Sequence, residues 1–202
     1  MKLFYSPGAC SLSPHIALRE AGLPFTLAQV STKTHTLADG SDFYAINPKG
    51  YVPALQLDSG ELLTEGPAIV QYVADQAPAS GLAPAAGTLA RYRLIEWLNF
   101  ISTELHKGFS PLFNPAMPEE AKALARTKLG EKLAWVDQQL EGHDYLMGAQ
   151  FTVADAYLYT VSGWGKYVGV DIAPLKNLSA YVARVTARPA VQEALKAEGL
   201  IK

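Results

Sequence analysis

The chain has 202 residues, of which 49% are hydrophobic and 18% are charged, and its formal net charge at pH 7 is −2. A core of full size is therefore available, while the near-neutral charge and the lack of a long apolar run argue against nucleic acid and membrane partners. The single cysteine, Cys10, excludes an internal disulfide framework and a multi-cysteine metal site, so we expect no metal and a reducing, cytoplasmic location.

The first eighty residues predict two small strand and helix units. Proline and glycine at 7 and 8 end the first strand, and Asp58-Ser59-Gly60 predicts a hairpin turn. Strands are expected at 2–5, 25–30, 54–57 and 61–63, helices at 11–21 and 65–76, and a short helix around 43–46. The order is βαβ followed by ββα, with a parallel first pair and an antiparallel second pair.

The composition changes to Ala, Pro, Gly and Ser between residues 77 and 88, which is typical of a connection between domains. We therefore predict domains at 1–81 and 82–202. Apolar residues then recur at helical spacing in 89–109, 119–140, 153–167 and 178–187. The fold class is thus α/β plus all-α, with a helical bundle as the second half.

Cys10 follows the Pro-Gly turn and stands at the expected start of a helix, where the helix dipole favours an anion. A thiolate would be stabilised there, although a lone cysteine is as often buried and inert. Tyr5 and Ser11 flank the same loop and could each donate a hydrogen bond to a sulfur anion. Taken singly, each is more often a core aromatic residue or a helix cap.

Two further segments favour a site for an amino-acid derivative. If the bond before Pro53 is cis, the backbone N–H and C=O of Val52 turn outward as an edge for an extended peptide. Glu65 and Gly66 place a carboxylate and bare backbone at a helix start, which suits a ligand's ammonium and carboxylate groups. For Glu65 the simpler interpretation is favourable interaction with the helix dipole.

The long helix after the connection carries Glu96, Asn99, Thr103 and His106 at a spacing that places them on one face. We expect this polar stripe to line a cleft or a partner subunit as well as water. His106, beside Lys107, could favour an anion or act as a general base. Farther on, Thr152 and Asp155 form a capping box, which we interpret as structural.

These motifs together resemble bacterial beta-class glutathione transferases along the whole chain. They are Tyr5-Ser-Pro-Gly-Ala-Cys10-Ser11, Asn47-Pro48-Lys-Gly-Tyr-Val52-Pro53, Thr64-Glu65-Gly66, Asn99-Phe-Ile-Ser-Thr-Glu-Leu-His106-Lys107 and the box from Thr152 to Asp155. The resemblance implies a cytosolic enzyme with a thioredoxin-like N-terminal domain that binds glutathione as co-substrate. It also implies a helical C-terminal domain, a homodimer and a role in detoxifying xenobiotics.

The resemblance also implies roles for individual residues. Cys10 would contact the glutathione sulfur and form a mixed disulfide with it, and His106 would sit close to that sulfur. His35 stands where relatives commonly carry lysine to meet the glycine carboxylate, so affinity for glutathione would fall as pH rises. The other glutathione-binding residues would be Val52, Glu65, Gly66, Asn99, Thr103 and Glu104, with Asn99 and the 103–104 segment partly from the neighbouring subunit.

The second substrate should be a small apolar electrophile docked between the domains, and its expected contacts are Phe109, Phe113, Trp164 and Tyr167. An apolar wall gives broad discrimination, since each methylene is worth only about 1–3 kcal/mol. Two rival functions keep the same fold. Cys10 could itself be the nucleophile in thiol-disulfide exchange or reductive dehalogenation, or the protein could be a carrier of glutathione or hydrophobic molecules without catalysis. Retention of Cys10, Glu65 and His106 together argues against a carrier.

Overall fold

A mixed five-stranded sheet forms the centre of the first half of the chain. The computed structural model describes residues 1–202. Its strands are β1 (Lys2–Tyr5), β2 (Thr26–Ser31), β3 (Thr36–Leu37), β4 (Ala54–Gln56) and β5 (Leu62–Thr64). They lie in the order β3-β2-β1-β4-β5. The predicted fold class is confirmed.

Strand pairing follows the predicted βαβ and ββα units. β1 and β2 are parallel, with Leu3 opposite Leu27, while β4 is antiparallel to both β1 and β5. β3 was not predicted, because it has only two residues in a polar segment rich in turn formers. It pairs antiparallel to β2. A 3-10 turn at Phe43–Ala45 takes the place of the expected short helix.

Three helices belong to this unit: α1 (Leu12–Glu20), α2 (Gly66–Gln76) and, from the end of the chain, α9 (Pro189–Ala197). α1 packs against both α2 and α9, and α2 contacts β4 and β5. Apolar residues at helical spacing are buried on α1 and α2, among them Ile16, Ile69 and Val73. Another apolar cluster of this unit consists of Phe4, Val30, Phe43, Val52 and Ala54.

The C-terminal helix α9 was not predicted, and it belongs to the first compact unit. That unit comprises Met1–Ala83 and Arg188–Lys202, and the second comprises Pro84–Ala187. Arg188 explains part of this grouping, because its guanidinium donates to both carboxylate oxygens of Glu20 at 2.6 and 2.8 Å. A division into 1–81 and 82–202 did not anticipate a return of the chain to the first unit.

The second unit is entirely helical. Its helices are α3 (Leu89–Phe100), α4 (Lys107–Phe113), α5 (Glu119–Gln139), α6 (Val153–Ser162), α7 (Gly165–Val168) and α8 (Lys176–Thr186). A π-helical segment, Ile101–His106, joins α3 to α4. The predicted helix over 153–167 is instead two helices, because the chain turns at Gly163 and Trp164. None of the helices combines the length and the hydrophobicity that a membrane span requires.

The predicted capping box at the start of α6 is confirmed. The Asp155 carboxylate accepts hydrogen bonds from the Thr152 N–H (2.8 Å) and hydroxyl (2.9 Å), from the Leu146 N–H (2.9 Å) and from the Tyr181 hydroxyl (3.2 Å). Burial raises the pKa of Asp155 to about 6, and these donors oppose that rise. A single buried carboxylate therefore ties α6 to the preceding loop and to α8.

Candidate functional site

The loop between β1 and α1 presents Cys10 one residue before the helix cap. Gly8 takes a φ of 69°, and the Ala9 N–H donates to the Ser6 carbonyl at 3.0 Å, which closes a tight turn. The Cys10 side chain is half-buried, and its thiol donates to the Val52 carbonyl at 3.2 Å. The only cysteine of the chain thus lies against Val52, whose backbone the sequence predicted to pair with an extended peptide ligand.

Ser11 and Tyr5, the two proposed hydroxyl donors, are placed differently from each other. Ser11 is fully buried, donates its one hydroxyl proton to the Ser6 carbonyl (3.2 Å) and accepts from the Ser6 N–H (3.1 Å). It closes the loop, and it would have to give up that bond to donate to a sulfur. Burial, with the nearby charge of Glu198, raises the pKa of Tyr5, so its phenol stays protonated and remains a donor.

A series of buried hydrogen bonds, which the sequence did not reveal, supports the loop between β1 and α1. The Gly8 N–H donates to Oε2 of Glu198 (2.9 Å), and Oε1 of the same carboxylate is 2.8 Å from Nδ1 of His15. Arg19 Nε donates to Nε2 of His15 at 2.9 Å. The side chains of His15 and Glu198 are fully buried. Glu198 precedes a glycine near the end of the chain, a pattern that normally indicates an exposed helix terminus. No signal in the sequence therefore predicted that its carboxylate is buried beside the loop.

The segment before β4 brings Val52 to the loop. The Val52–Pro53 bond is cis. The Asn47 amide donates to the Tyr51 carbonyl at 2.8 Å, and the Gly50 N–H donates to the Asn47 carbonyl at 2.8 Å. The Val52 carbonyl accepts the Cys10 thiol, and its second lone pair leaves capacity for another donor.

Glu65 occupies the N-terminal cap position of α2, with Gly66 next to it. Its φ of 70° lies in the left-handed region, which is uncommon for a residue with a side chain and typical of functional sites. The side chain makes no capping hydrogen bond, which disfavours a purely structural role as a cap. Instead, the Glu65 carboxylate lies 2.6 Å from Nζ of Lys49, and both side chains are more than half exposed. Such exposed pairs are weak, so a ligand ammonium can replace the lysine.

His35 also has a left-handed backbone, with φ of 55°. Its Nδ1 is 3.0 Å from the Gly50 carbonyl, and its ring packs on Tyr44 at 4.7 Å between centroids. Because a carbonyl only accepts, Nδ1 must carry the proton. Nε2 then carries a proton for a ligand carboxylate only when the imidazole is doubly protonated.

The polar stripe expected on α3 is interrupted by the π-helical segment. Its hydrogen bonds run from residue i to i+5, so the register of an α-helix no longer applies beyond Phe100. Asn99 and Thr103 are exposed, and the Thr103 hydroxyl donates to the Asn99 carbonyl at 3.1 Å. Glu104 pairs with Lys132 at 2.6 Å, which lowers its pKa. His106, by contrast, is half-buried and turns toward α6.

His106 is neutral at pH 7. Burial, with a smaller effect of the charge on Lys107, lowers its pKa to about 4. Burial thus disfavours the positive charge that the sequence offered as one of two roles for His106. Its Nδ1 lies 2.6 Å from the Tyr157 hydroxyl. Sequence reasoning missed Tyr157, since nothing in the α6 pattern marks a partner 51 residues away.

The four aromatic residues expected against a second substrate do not form one wall. Trp164 packs edge-on against His106 (4.9 Å between centroids) and Phe113 (6.1 Å). Phe109 is fully buried behind Trp164 at 5.7 Å, so it supports that ring and cannot itself contact a ligand. Tyr167 is 65% exposed, with Lys166 Nζ over its ring at 4.9 Å. The structure thus brings Trp164 into contact with His106, and Phe113 into contact with Trp164.

Comparisons with known proteins cover the entire chain. The family model "Glutathione S-transferase, N-terminal domain" matches residues 8–76, and "Glutathione S-transferase, C-terminal domain" matches residues 100–189. Glutathione S-transferase GstA of Escherichia coli O157:H7 is 52% identical over 200 residues, covering 99% of this chain and 100% of that protein.

Two solved structures are similar in sequence and in fold. A sphingomonad glutathione S-transferase complexed with glutathione is 55% identical with a TM-score of 0.96, and the match covers 100% of both chains. A bacterial beta-class glutathione S-transferase from Sphingomonas chungbukensis is 52% identical, also with a TM-score of 0.96 and 100% of both chains covered. Since about half of all positions are identical over the full length and both family models match, the chain belongs to the glutathione S-transferase family, in its bacterial beta class.

Proposed function

We propose that the protein is a glutathione transferase that joins the glutathione sulfur to small apolar electrophiles. The observation that carries this proposal is the position of Cys10, whose thiol contacts the Val52 carbonyl at 3.2 Å in a chain that is similar to transferases from end to end. A sulfur-containing peptide paired with the Val52 backbone would bring its own sulfur beside Cys10. A similar protein has been solved with glutathione bound.

Each end of glutathione has a matching group in the first unit. The γ-glutamyl ammonium replaces Lys49 at the Glu65 carboxylate, and the adjoining carboxylate binds at the N-terminus of α2 beside Gly66. The strained backbone of Glu65 supports this role, because strain of this kind concentrates at binding sites. His35, whose Nδ1 donates to the Gly50 carbonyl, is the residue that we assign to the glycine carboxylate.

The chemical task is to bind the glutathione sulfur as an anion. A free thiol has a pKa of about 8.5, so only a few per cent is ionised at pH 7. The dipole of α1 and the Tyr5 phenol favour the thiolate, and the family resemblance adds His106 from the helical unit. The thiolate then attacks the electrophile. With an aryl chloride a carbon–sulfur bond forms, chloride leaves, and the thiol proton passes to water.

Trp164 and Phe113 are the apolar contacts that we assign to the second substrate, since Trp164 packs on His106 and Phe113 packs on Trp164. Asn99 and the segment at Thr103 and Glu104 would contribute in part to the site of a neighbouring subunit, as in a homodimer. Sedimentation velocity tests the dimer: a species of monomer mass at micromolar concentration contradicts it. A cytoplasmic location stays a prediction.

The test measures conjugation of glutathione to an activated aryl chloride, with the intact protein and Cys10→Ala side by side. Reduction of a glutathione mixed disulfide is assayed on the same samples. We expect conjugation by the intact protein, and its persistence in Cys10→Ala would show that Cys10 serves thiol exchange while other groups activate glutathione. If the intact protein binds glutathione but catalyses neither reaction, the transferase proposal is wrong and a carrier function replaces it.

A second experiment tests the binding site itself. Glu65→Gln removes the charge that meets the ammonium, and we expect the KM for glutathione to rise about tenfold, since a hydrogen bond to a charged group is worth about 1.5–3 kcal/mol. Glu61→Gln is the matched control, because Glu61 is an exposed glutamate on the neighbouring hairpin. Equal KM values in the two variants would contradict the assignment of Glu65.

A further inference from the structure

His106 and Tyr157 form one hydrogen-bonded pair inside the helical unit. Nδ1 of His106 lies 2.6 Å from the Tyr157 hydroxyl, and the two rings meet edge to face, 5.9 Å apart at 85°. Trp164 packs against the imidazole from another direction, at 4.9 Å and 71°. The two ring contacts restrict rotation of the imidazole, and together with the hydrogen bond they hold it in one orientation.

Local backbone structure holds each member of the pair in place. His106 ends the π-helical segment Ile101–His106, which turns its side chain toward α6. Tyr157 is five residues beyond the cap of α6, and the buried Asp155 carboxylate fixes that end of the helix through four hydrogen bonds. π-Helical insertions occur frequently at functional sites, and here one brings a histidine to a tyrosine hydroxyl.

The length of the contact indicates which atom donates. Hydrogen bonds from N–H to oxygen are usually 2.7–3.2 Å long, and those from a hydroxyl to oxygen are about 2.5–3.0 Å long. The contact of 2.6 Å is shorter than the usual range for an N–H that donates to a hydroxyl oxygen, so we take the Tyr157 hydroxyl as the donor to Nδ1. Because a neutral imidazole has one N–H and one bare nitrogen, accepting at Nδ1 places the proton on Nε2.

We propose that Tyr157 is a positioning residue, whose hydroxyl donates to Nδ1 of His106 and thereby holds the imidazole as the Nε2–H tautomer, a neutral hydrogen-bond donor. The sequence left two roles open for His106, a positive charge or a general base. In this tautomer it is neither, because Nε2 has a proton to share and no lone pair to take one. The role of this donor rests on the proposed function, in which Nε2–H stabilises the glutathione thiolate while the thiol proton passes to water.

Tyr157→Phe removes the hydroxyl and retains the ring, so the packing around His106 stays in place. Tyr159→Phe is the matched control on the same helix: its hydroxyl is 3.2 Å from the Thr186 hydroxyl, and it makes no contact with His106. Both variants lose one phenolic hydroxyl. A change that appears in the first variant alone therefore reports the contact with His106.

Long-range proton–nitrogen NMR correlations of the imidazole rings decide the tautomer without any substrate. The chain has four histidines, so the signals of His106 are those missing from His106→Asn. In the unmodified protein at pH 7.5 we expect a bare Nδ1 and a protonated Nε2, in Tyr157→Phe a mixture of both tautomers, and in Tyr159→Phe no change. A protonated Nδ1 in the unmodified protein, or an unaltered tautomer in Tyr157→Phe, overturns the proposal.

Kinetics provide the second readout. Loss of one neutral hydrogen bond corresponds to about a two- to tenfold effect, so we expect kcat for aryl chloride conjugation to fall by that factor in Tyr157→Phe, with the KM for glutathione unchanged. An equal fall in Tyr159→Phe, or a loss confined to KM, overturns the positioning role. If the unmodified protein conjugates nothing, the proposed function fails by itself, and the NMR experiment still decides the tautomer.

Discussion

Replacement of Glu198 by glutamine tests the buried support beneath the Cys10 loop. Both oxygens of this carboxylate act as acceptors, one from the Gly8 N–H at 2.9 Å and one at Nδ1 of His15 at 2.8 Å. Arg19 Nε, which can only donate, lies 2.9 Å from Nε2 of His15, so Nδ1 is the nitrogen that carries the proton of neutral His15. Glutamine would turn one of the two acceptors into an NH₂ donor facing another donor.

The expected cost follows from the contacts that are lost. A hydrogen bond to a charged acceptor contributes about 1.5–3 kcal/mol, and a buried donor left without a partner costs about 1–3 kcal/mol. A neutral amide avoids part of the cost of burying a charge, which reduces the total. We therefore expect Glu198→Gln to lower the free energy of unfolding by about 2–4 kcal/mol, out of the roughly 5–15 kcal/mol typical of folded proteins.

Urea unfolding followed by far-ultraviolet circular dichroism measures this free energy. Tryptophan fluorescence is unsuitable because Trp97, Trp135 and Trp164 all lie in the second unit. Glu193→Gln is the control on the same helix: its carboxylate pairs with Arg19 at 2.9 Å and is 64% exposed, so its loss should cost less than about 1 kcal/mol. Equal midpoints for Glu198→Gln and the unmodified protein, or equal losses in the two variants, would refute the reasoning.

Three further predictions address the rest of the fold. Asp155→Ala removes the acceptor of three buried donors, the Leu146 N–H and the Thr152 N–H and hydroxyl, while the Tyr181 hydroxyl keeps the Asp155 backbone carbonyl at 3.0 Å. We expect the free energy of unfolding to fall by about 3–5 kcal/mol in thermal denaturation; a loss below about 1 kcal/mol would contradict the structural role of the box. The folded-state pKa of His106, about 4, lies below its ordinary 6.5, so its contribution to stability is present above pH 6.5 and is lost as pH falls toward 4, by up to about 3 kcal/mol. His106→Asn should lack that part of the pH dependence in urea titrations at pH 7.5 and 4.5, and parallel curves for the two proteins would show the reasoning to be wrong. Gly50→Ala puts a Cβ 2.5 Å from the Tyr44 ring at a φ of 69°, and should cost about 1–3 kcal/mol more than Gly142→Ala, where the φ is 73° and nothing lies within 4 Å; equal thermal midpoints would contradict it.

Local patterns predicted most of the elements, because short-range rules control them. The Pro-Gly turn ended β1, the hairpin turn at Asp58 to Gly60 separated β4 from β5, and the capping box marked the start of α6. Where the rules depend on a regular helix, they failed. The stripe through Asn99 and His106 assumed a continuous α-helix, and the π-helical segment changed its register.

The sequence by itself determined the fold class, the two halves of different architecture, the position of Cys10 beside a helix start and the family resemblance, since these depend on residues close together in the chain. Only the tertiary structure decided the placement of α9 and the pairing of Glu198 with Gly8 and His15, across 190 and 183 residues. It also decided that His106 is neutral and bonded to Tyr157. Burial and long-range partners set charge and tautomer, and neither quantity is encoded in the spacing of neighbouring residues.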